Sequence, residues 1–153
     1  MKKISVCQAL KEEEIRKVFE IRKEVFVKEQ KIFNDTDKDK EDKHSLYLIA
    51  MVNDEIVGVV RVFPVGNNEW VGGRLAVKKK FRGSRAGWLL VQGAVRLVKQ
   101  NHCRKFTATI QEENVKFFKR LGWKPHGELF VYHGKKHLAM EANLKYYNGR
   151  EMN

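Results

Sequence analysis

The sequence predicts a mixed α/β domain of the α+β kind, with helices packed on one sheet. Two observations carry that assignment. Apolar residues alternate between the two-residue period of strands and the three- and four-residue steps of helices, in the order β-α-β-β-β-α-β-α-β-β. No repeat, linker or break in composition divides the 153 residues, a length at which one core buries about two thirds of the unfolded chain's surface. Residues 1–153 are therefore expected to form one domain. Helical crossovers on either side of the strand around Ile110 predict some parallel pairing within the sheet.

Residues 3–8 (KISVCQ) alternate apolar and polar and predict the first strand. From Lys11 onward Ile15, Val18, Phe19, Arg22, Val25 and Phe26 recur at helical spacing. Glu12, Glu13 and Glu14 place negative charge in the first turn, where the helix dipole favours it. This helical region, one helix or two, is expected to end near Gln30. Residues 34–45 (NDTDKDKEDKHS) read as a solvated, charge-dense loop. Residues 46–52 and 55–65 flank the turn Asn53-Asp54 as a hairpin. Gly66-Asn67-Asn68 then turns the chain into a strand over 69–77. Past a basic segment, Trp88, Leu89, Val91, Gln92, Val95, Leu97 and Val98 begin a second helix. Residues 105–110 form a β-branched strand, and 114–121 a short helix closed by Gly122. Residues 123–132 and 136–144 predict a final pair of strands around His133-Gly134, with a flexible tail over 145–153.

Composition narrows the class. The chain is 42% hydrophobic and 10% aromatic, with eleven glycines and two prolines, which excludes collagenous, low-complexity and disordered chains. No apolar stretch approaches the roughly 20 residues of a membrane span, and the N-terminal residues lack the apolar core of a signal peptide. A soluble, cytoplasmic protein is expected. Cys7 and Cys103 have neither metal-ligand nor CxxC spacing, consistent with reduced thiols. Thirty-one Lys and Arg against nineteen Asp and Glu give a net charge of +12, which attracts polyanions. Nucleic acid is admitted by that charge, but no helix-turn-helix, RRM or zinc module supports it. Monomer and homodimer both stay open, and no membrane association is expected.

The informative segment for chemistry runs from Val77 to Leu90. A strand, a basic glycine-containing turn and an amphipathic helix follow one another there. A helix start presents unpartnered N–H groups and a partial positive charge, and small turn residues let a phosphate approach that backbone. Lys78, Lys79, Lys80, Arg82 and Arg85 surround the turn. The competing reading is an ordinary βα turn with a solvated basic rim. Neither GxxxxGK[ST] nor GxGxxG is present, which argues against a P-loop or a Rossmann site. The Asp35-x-Asp37-x-Asp39 run begins like an EF-hand loop, but Lys40 and Leu46 replace the required Gly and Glu. No metal site is expected.

The run Leu75-Ala76-Val77, then Arg82-Gly83-Ser84-Arg85-Ala86-Gly87-Trp88-Leu89-Leu90, resembles the acyl-coenzyme A signature of the GNAT N-acetyltransferase superfamily. Asn114-Val115-Lys116-Phe117-Phe118-Lys119-Arg120-Leu121-Gly122-Trp123 resembles that superfamily's Asn-x-x-x-(Phe/Tyr)-x-x-x-Gly-(Phe/Tyr) segment. The blocks starting at Arg22 and at Gly134 resemble one bacterial subgroup, so the likeness spans residues 20–140. It implies a central, mostly antiparallel sheet with a splayed parallel pair, flanked by about four helices. It also implies acetyl-CoA as co-substrate. The residues expected to bind it are Leu75, Ala76, Val77, Arg82, Gly83, Ser84, Arg85, Ala86, Gly87, Trp88, Asn114, Phe117 and Phe118.

Three positions depart from the family pattern. Arg85 replaces the signature's first Gly, which would cost about 1–2 kcal/mol if a left-handed backbone were needed there. Phe118 stands where many relatives have a Tyr able to protonate the leaving thiolate. Gly72-Gly73-Arg74 stands where many carry a Glu base. The resemblance implies direct acetyl transfer from acetyl-CoA to the amine of a small molecule or peptide end. A base must take the amine's proton, and His137 is the first candidate, since an imidazole ordinarily titrates near pH 6.5 (about one unit either way). Glu128, Glu69 and His126 follow. Residues Arg22 to Phe26, the acidic loop and Arg61-Val62-Phe63-Pro64 also resemble acyl-homoserine-lactone synthases, without their Trp after the first motif. A non-catalytic module that binds coenzyme A or a polyanion is the third reading.

Overall fold

The computed structural model describes residues 3–145, so the expected tail, apart from Lys145, lies outside the described residues. Strand β1 (Ile4–Gln8) leads to helix α1 (Glu12–Arg22), which continues as a π-helix over Lys23–Glu29. A 3₁₀ turn (Lys40–His44) precedes β2 (Leu46–Val52), β3 (Glu55–Gly66) and β4 (Glu69–Val77). Helix α2 (Ala86–Gln100) crosses to β5 (Lys105–Gln111), and α3 (Val115–Arg120) leads to β6 (Lys124–Pro125), β7 (Phe130–Tyr132) and β8 (Lys135–Glu141). The eight strands form one open sheet in the order β1-β2-β3-β4-β5-β8-β6, with β7 also on β8. Among the described residues only β4 and β5 pair parallel.

Local chemistry explains most of these elements. The Glu14 carboxylate accepts the Leu10 and Lys11 N–H groups at 3.1 Å each, and these bonds lower its pKa. At the other end the Gln30 N–H reaches back five residues to the Val25 carbonyl (2.8 Å), the mark of the widened π turn. Asn53, Asp54, Asn67 and Asn68 take left-handed φ values of 53° to 73°, as two-residue hairpin turns require.

The described residues hold three α-helices, and two expectations about the strands are corrected. The strand foreseen over 123–132 is two fragments, β6 and β7, interrupted where Pro125 offers no N–H and Gly127 sits at φ +133°. The crossover through α3 creates no second parallel pair. Strand β8 inserts between β5 and β6, pairing antiparallel with both, and satisfies the β5 edge first.

Both sheet faces are covered, which is why β2 and β3 read as continuous apolar runs. On one face Leu90, Val91, Ala94, Val95 and Val98 of α2 pack with Leu48, Ala50, Val60 and Val62. On the other, Val18, Ile21, Val25 and Phe26 pack with Tyr47, Ile49, Val59 and Ala76. Among the described residues no helix is long and apolar enough to cross a membrane.

The segment 34–45 is the largest correction, because it is not a solvated loop. Its Asp37 is 2% exposed and meets Arg22, which is 0% exposed. Arg22 Nε donates to Asp37 Oδ2 (2.7 Å) and Nη1 to Asp42 Oδ1 (2.8 Å). Arg61 donates two parallel bonds to Asp39 (2.7 and 2.8 Å), and its Nη1 also lies 3.0 Å from Asp42 Oδ1. Arg74 Nη2 donates to the Asp37 carbonyl (3.0 Å) and to Asp39 Oδ2 (3.2 Å). Three arginines far apart in sequence thus pin three aspartates of one short segment. Burial alone would raise the Asp42 carboxyl. The Arg22 guanidinium and the Asp39 N–H reverse that and hold it well below the usual carboxylate range. Arg61 likewise lowers Asp39.

Carboxyls with depressed folded-state pKa values stabilise above their unfolded pKa, about 3.9, and lose that contribution as pH falls toward the folded value. Urea unfolding should therefore give a near-constant free energy from neutral pH to about 5 and a steep decline below about 4. Asp42→Asn should start less stable at neutral pH and show a shallower acid limb. An unaltered limb would show that this network does not set acid stability.

Candidate active site

Parallel pairing between β4 and β5 lasts four positions, from Glu69↔Lys105 to Gly72↔Ala108, and then stops. Beyond that point β4 turns away because its register against β3 slips. Between the pairs Arg61↔Gly73 and Val59↔Ala76, two residues of β4 oppose one of β3. The extra residue produces a bulge at Arg74, whose φ is +53°. At the closed end a Cβ on Gly72 would lie 2.8 Å from the Phe106 ring, so only glycine lets the two strands meet there.

The divergence opens a cavity of about 440 Å³ that passes between the strands from one sheet face to the other. On the α1 face its walls include Phe26, Phe33, Asp39, Arg61 and Arg74; on the α2 face, Val60, Val91, Ala94, Phe106, Phe118 and Trp123. Two contacts bridge the opening. Gln111 Nε2 donates to Gln30 Oε1 (3.0 Å), and the Phe33 and His133 rings lie 4.5 Å apart. Arg61 Nε and Trp123 Nε1 are buried without a hydrogen-bond partner, and both side chains border the cavity.

Leu75, Ala76 and Val77 form the free edge of β4, with Leu75 in the cavity wall and Ala76 in the opposite core. The chain then turns through Lys79–Phe81 into α2. Arg82 Nε donates to the Val77 carbonyl (2.9 Å), while its other nitrogens grip the Glu29 carboxylate. That contact lowers the Glu29 pKa. Gly83 carries the positive φ of the turn, +86°. Arg85 has φ −85°, so the departure from glycine there costs no backbone strain. Its guanidinium instead stacks 4.5 Å from the Trp88 ring centroid. Ser84 Oγ donates to the Phe81 carbonyl (2.6 Å) and accepts the Ala86 N–H (3.2 Å), seating the first turn of α2. Gly87 faces Phe117, whose ring would be 3.8 Å from a Cβ.

His137 lines the cavity and is 5% exposed. Strand β8 sends Leu138 and Met140 into the α2-side core, which puts His137 on the opposite, charged face. Its Nδ1 is 2.9 Å from the Lys135 carbonyl. A carbonyl only accepts, so Nδ1 carries the hydrogen and a neutral ring keeps its lone pair on Nε2. The Tyr132 ring, 5.3 Å away, and Asn114 also border the cavity. Phe118 stands edge-on to Trp123 (5.1 Å) and to Phe117 (5.5 Å).

The other candidate bases lie elsewhere. Glu128 is exposed between β6 and β7 and is not in the cavity wall; Glu69 pairs with Arg104 (2.7 Å) at the closed end, and His126 lies beside Glu141. The family resemblance implied the charge-dense loop as a wall of the acceptor site, but sequence reasoning singled out neither Asp39 and Glu41 within it nor Arg74 on β4 as wall residues. Among the described residues no group of three His, Cys, Asp or Glu could hold a metal ion.

A β-bulged strand diverging from its parallel neighbour, above a glycine turn that starts a helix, defines an acyltransferase-type fold. The comparisons agree: the family model for the acetyltransferase (GNAT) domain matches residues 6–144, and the chain belongs to that family. It is similar to an inferred acetyltransferase of Bacillus subtilis (strain 168), 28% identical over 140 residues, covering 90% of this chain and 95% of the relative. Escherichia coli ElaA shares the fold with a TM-score of 0.81 at 21% identity, over 94% of this chain and 100% of ElaA. The acyl-homoserine lactone synthase BjaI does so with a TM-score of 0.74 at 15% identity, over 97% and 87%.

The closed end of the splay is testable through its glycines. Gly72→Ala should lower unfolding free energy by about 1–3 kcal/mol through overpacking against Phe106. Gly73→Ala, which meets nothing within 4 Å, should cost clearly less. Equal costs in urea titrations would mean that contact at Phe106 does not close the strands.

Proposed function

We propose that this protein transfers an acetyl or related acyl group from a coenzyme A thioester to the amine of a small molecule or peptide end. The observation that carries this reading is the continuity of the cavity. Its wall includes Leu75 of the β4 free edge and Val91 and Ala94 of α2, and the charged face presents His137 with its Nε2 lone pair. The pyrophosphate would lie on the backbone of Gly83 to Trp88, with Lys79, Lys80, Arg82 and Arg85 exposed around it. The pantetheine would then run along β4, where a backbone N–H between Leu75 and Val77 can receive the oxyanion of the tetrahedral intermediate.

His137 Nε2 accepts the amine's proton as the C–N bond forms; the C–S bond then breaks and the thiolate takes a proton. Phe118 has no proton to give. Tyr132, a water or the substrate's own ammonium supplies it. No step uses Glu128, whose exposed position is outside the cavity wall.

A second reading has one specific observation behind it. The segments that resemble acyl-homoserine-lactone synthases meet in space, as Arg22, Asp37, Asp39, Arg61 and Arg74 form one network bordering the acceptor end. The BjaI structure contains SAM and isopentyl-CoA. An acceptor of that amino-acid type is the alternative to a simple amine.

Arg82→Glu replaces a cation by an anion beside the phosphates and should weaken coenzyme A binding more than tenfold. Lys99→Glu, whose Nζ contacts the Leu144 carbonyl on a remote part of α2, should change it by less than about twofold, as surface charges do. Unchanged affinity in a folded Arg82→Glu protein would remove the turn from the phosphate site. His137→Gln should keep coenzyme A affinity and lower turnover at least tenfold, within the range of about 10²–10⁴ for general-base help. The acid limb of kcat/KM should vanish with it. A Gln variant with full turnover and an unchanged pH profile would make His137 structural.

A further inference from the structure

The cavity has two chemically different ends, and the acceptor amine needs only one of them. The proton acceptor at His137 Nε2 and the charged groups of Asp39, Arg61 and Arg74 all lie on the α1 face. An ammonium substrate loses least solvation by entering there. The opposite end penetrates the main core between the sheet and α2, and its walls are Val60, Val91, Ala94, Phe106, Phe118 and Trp123, each at most 6% exposed. A core is normally packed without voids. Here Ala94 and Ala108 present only small side chains to the cavity, which leaves space beside them unfilled.

We infer that this apolar end is an acyl chamber, and that the donor is a coenzyme A thioester of a short apolar chain longer than acetyl. The inference rests on the proposed transfer reaction and names its donor. The wall on the β4 side includes Leu75 of the free edge, and Val91, Ala94 and Phe106 continue it into the core. An acyl chain longer than acetyl, on a thioester held at that edge, lies along these side chains, where apolar space accepts hydrocarbon readily. Phe118, where a tyrosine would bring a hydroxyl into that wall, keeps it apolar.

The reaction balances without a further reactant. The acceptor nitrogen bonds to the acyl carbon and the C–S bond breaks. The acceptor enters as an ammonium: one of its protons passes to His137 Nε2 and a second to the departing thiolate, so the coenzyme leaves as free thiol.

The test is calorimetric titration of the full chain with coenzyme A and its acetyl, butyryl and hexanoyl thioesters, without acceptor. Each buried methylene contributes about fourfold, so butyryl-CoA should bind more than tenfold tighter than acetyl-CoA. Ala94→Leu and Ala108→Val fill the chamber and should each flatten that gain, relative to acetyl-CoA binding by the same variant. If Ala94→Leu does not fold, Ala108→Val carries the comparison. Acetyl-CoA binding as tightly as butyryl- and hexanoyl-CoA would overturn the chamber while leaving the transfer reading intact. A butyryl gain that survives in the folded filling variants would place the chain elsewhere and overturn it too. No binding of any of the four compounds would defeat both the chamber and the reading it rests on.

Discussion

The bulge at Arg74 is the constraint on which the working part of the molecule depends. A left-handed backbone at a residue with a Cβ costs about 1–2 kcal/mol, so something must hold it. The guanidinium of Arg74 does so by donating to the Asp37 carbonyl and the Asp39 carboxylate while its flat face lies 4.8 Å from the Phe33 ring. Charge-assisted bonds of this kind are about twice as strong as neutral ones. Asp37 and Asp39 are themselves fixed by Arg22 and Arg61. The strained residue, the parting of β4 from β5 and the buried ion network are therefore one mechanical unit. Without it β4 would continue beside β5 and the cavity would close.

That unit also divides the cavity chemically. Because β4 passes between two cores, its bulge exposes an ionic wall toward α1 and an apolar wall toward α2. The ionic wall carries no net charge across the six network residues, three arginines against three aspartates. It orients polar groups without the field of an isolated buried ion, which would be costly. The His137 imidazole shares this face, with its Nδ1 on the Lys135 carbonyl. The ionic and the apolar wall are thus kept on opposite sides of one sheet.

The signature turn shows how a motif tolerates change when its geometry moves to a neighbour. Gly83 supplies the left-handed residue, so Arg85 sits on the right-handed side and is free to add charge and to stack on Trp88. Arg82 spans from the end of β4 to Glu29 at the end of the π-helical turn. That side chain therefore ties the α1 face to the turn before α2.

Periodicity and turn chemistry in the sequence determined the single mixed sheet, both hairpins, the α2 crossover and the turn preceding it. These depend on contacts between near neighbours, such as the paired asparagines at 67 and 68 or the alternation of β1. The stretch from Leu75 to Trp88 stood out through its resemblance to the family signature. The tertiary structure alone decided the rest. Whether Asp37 is solvated or buried depends on Arg22, Arg61 and Arg74 arriving from three separate elements. Which candidate base meets the cavity depends on the face of β8 that His137 occupies and on the interruption that leaves Glu128 outside. Whether β6 pairs with β5 depends on β8 taking that edge first. Each is a contact between residues distant in the chain, and its energy exists only once the sheet has closed around it.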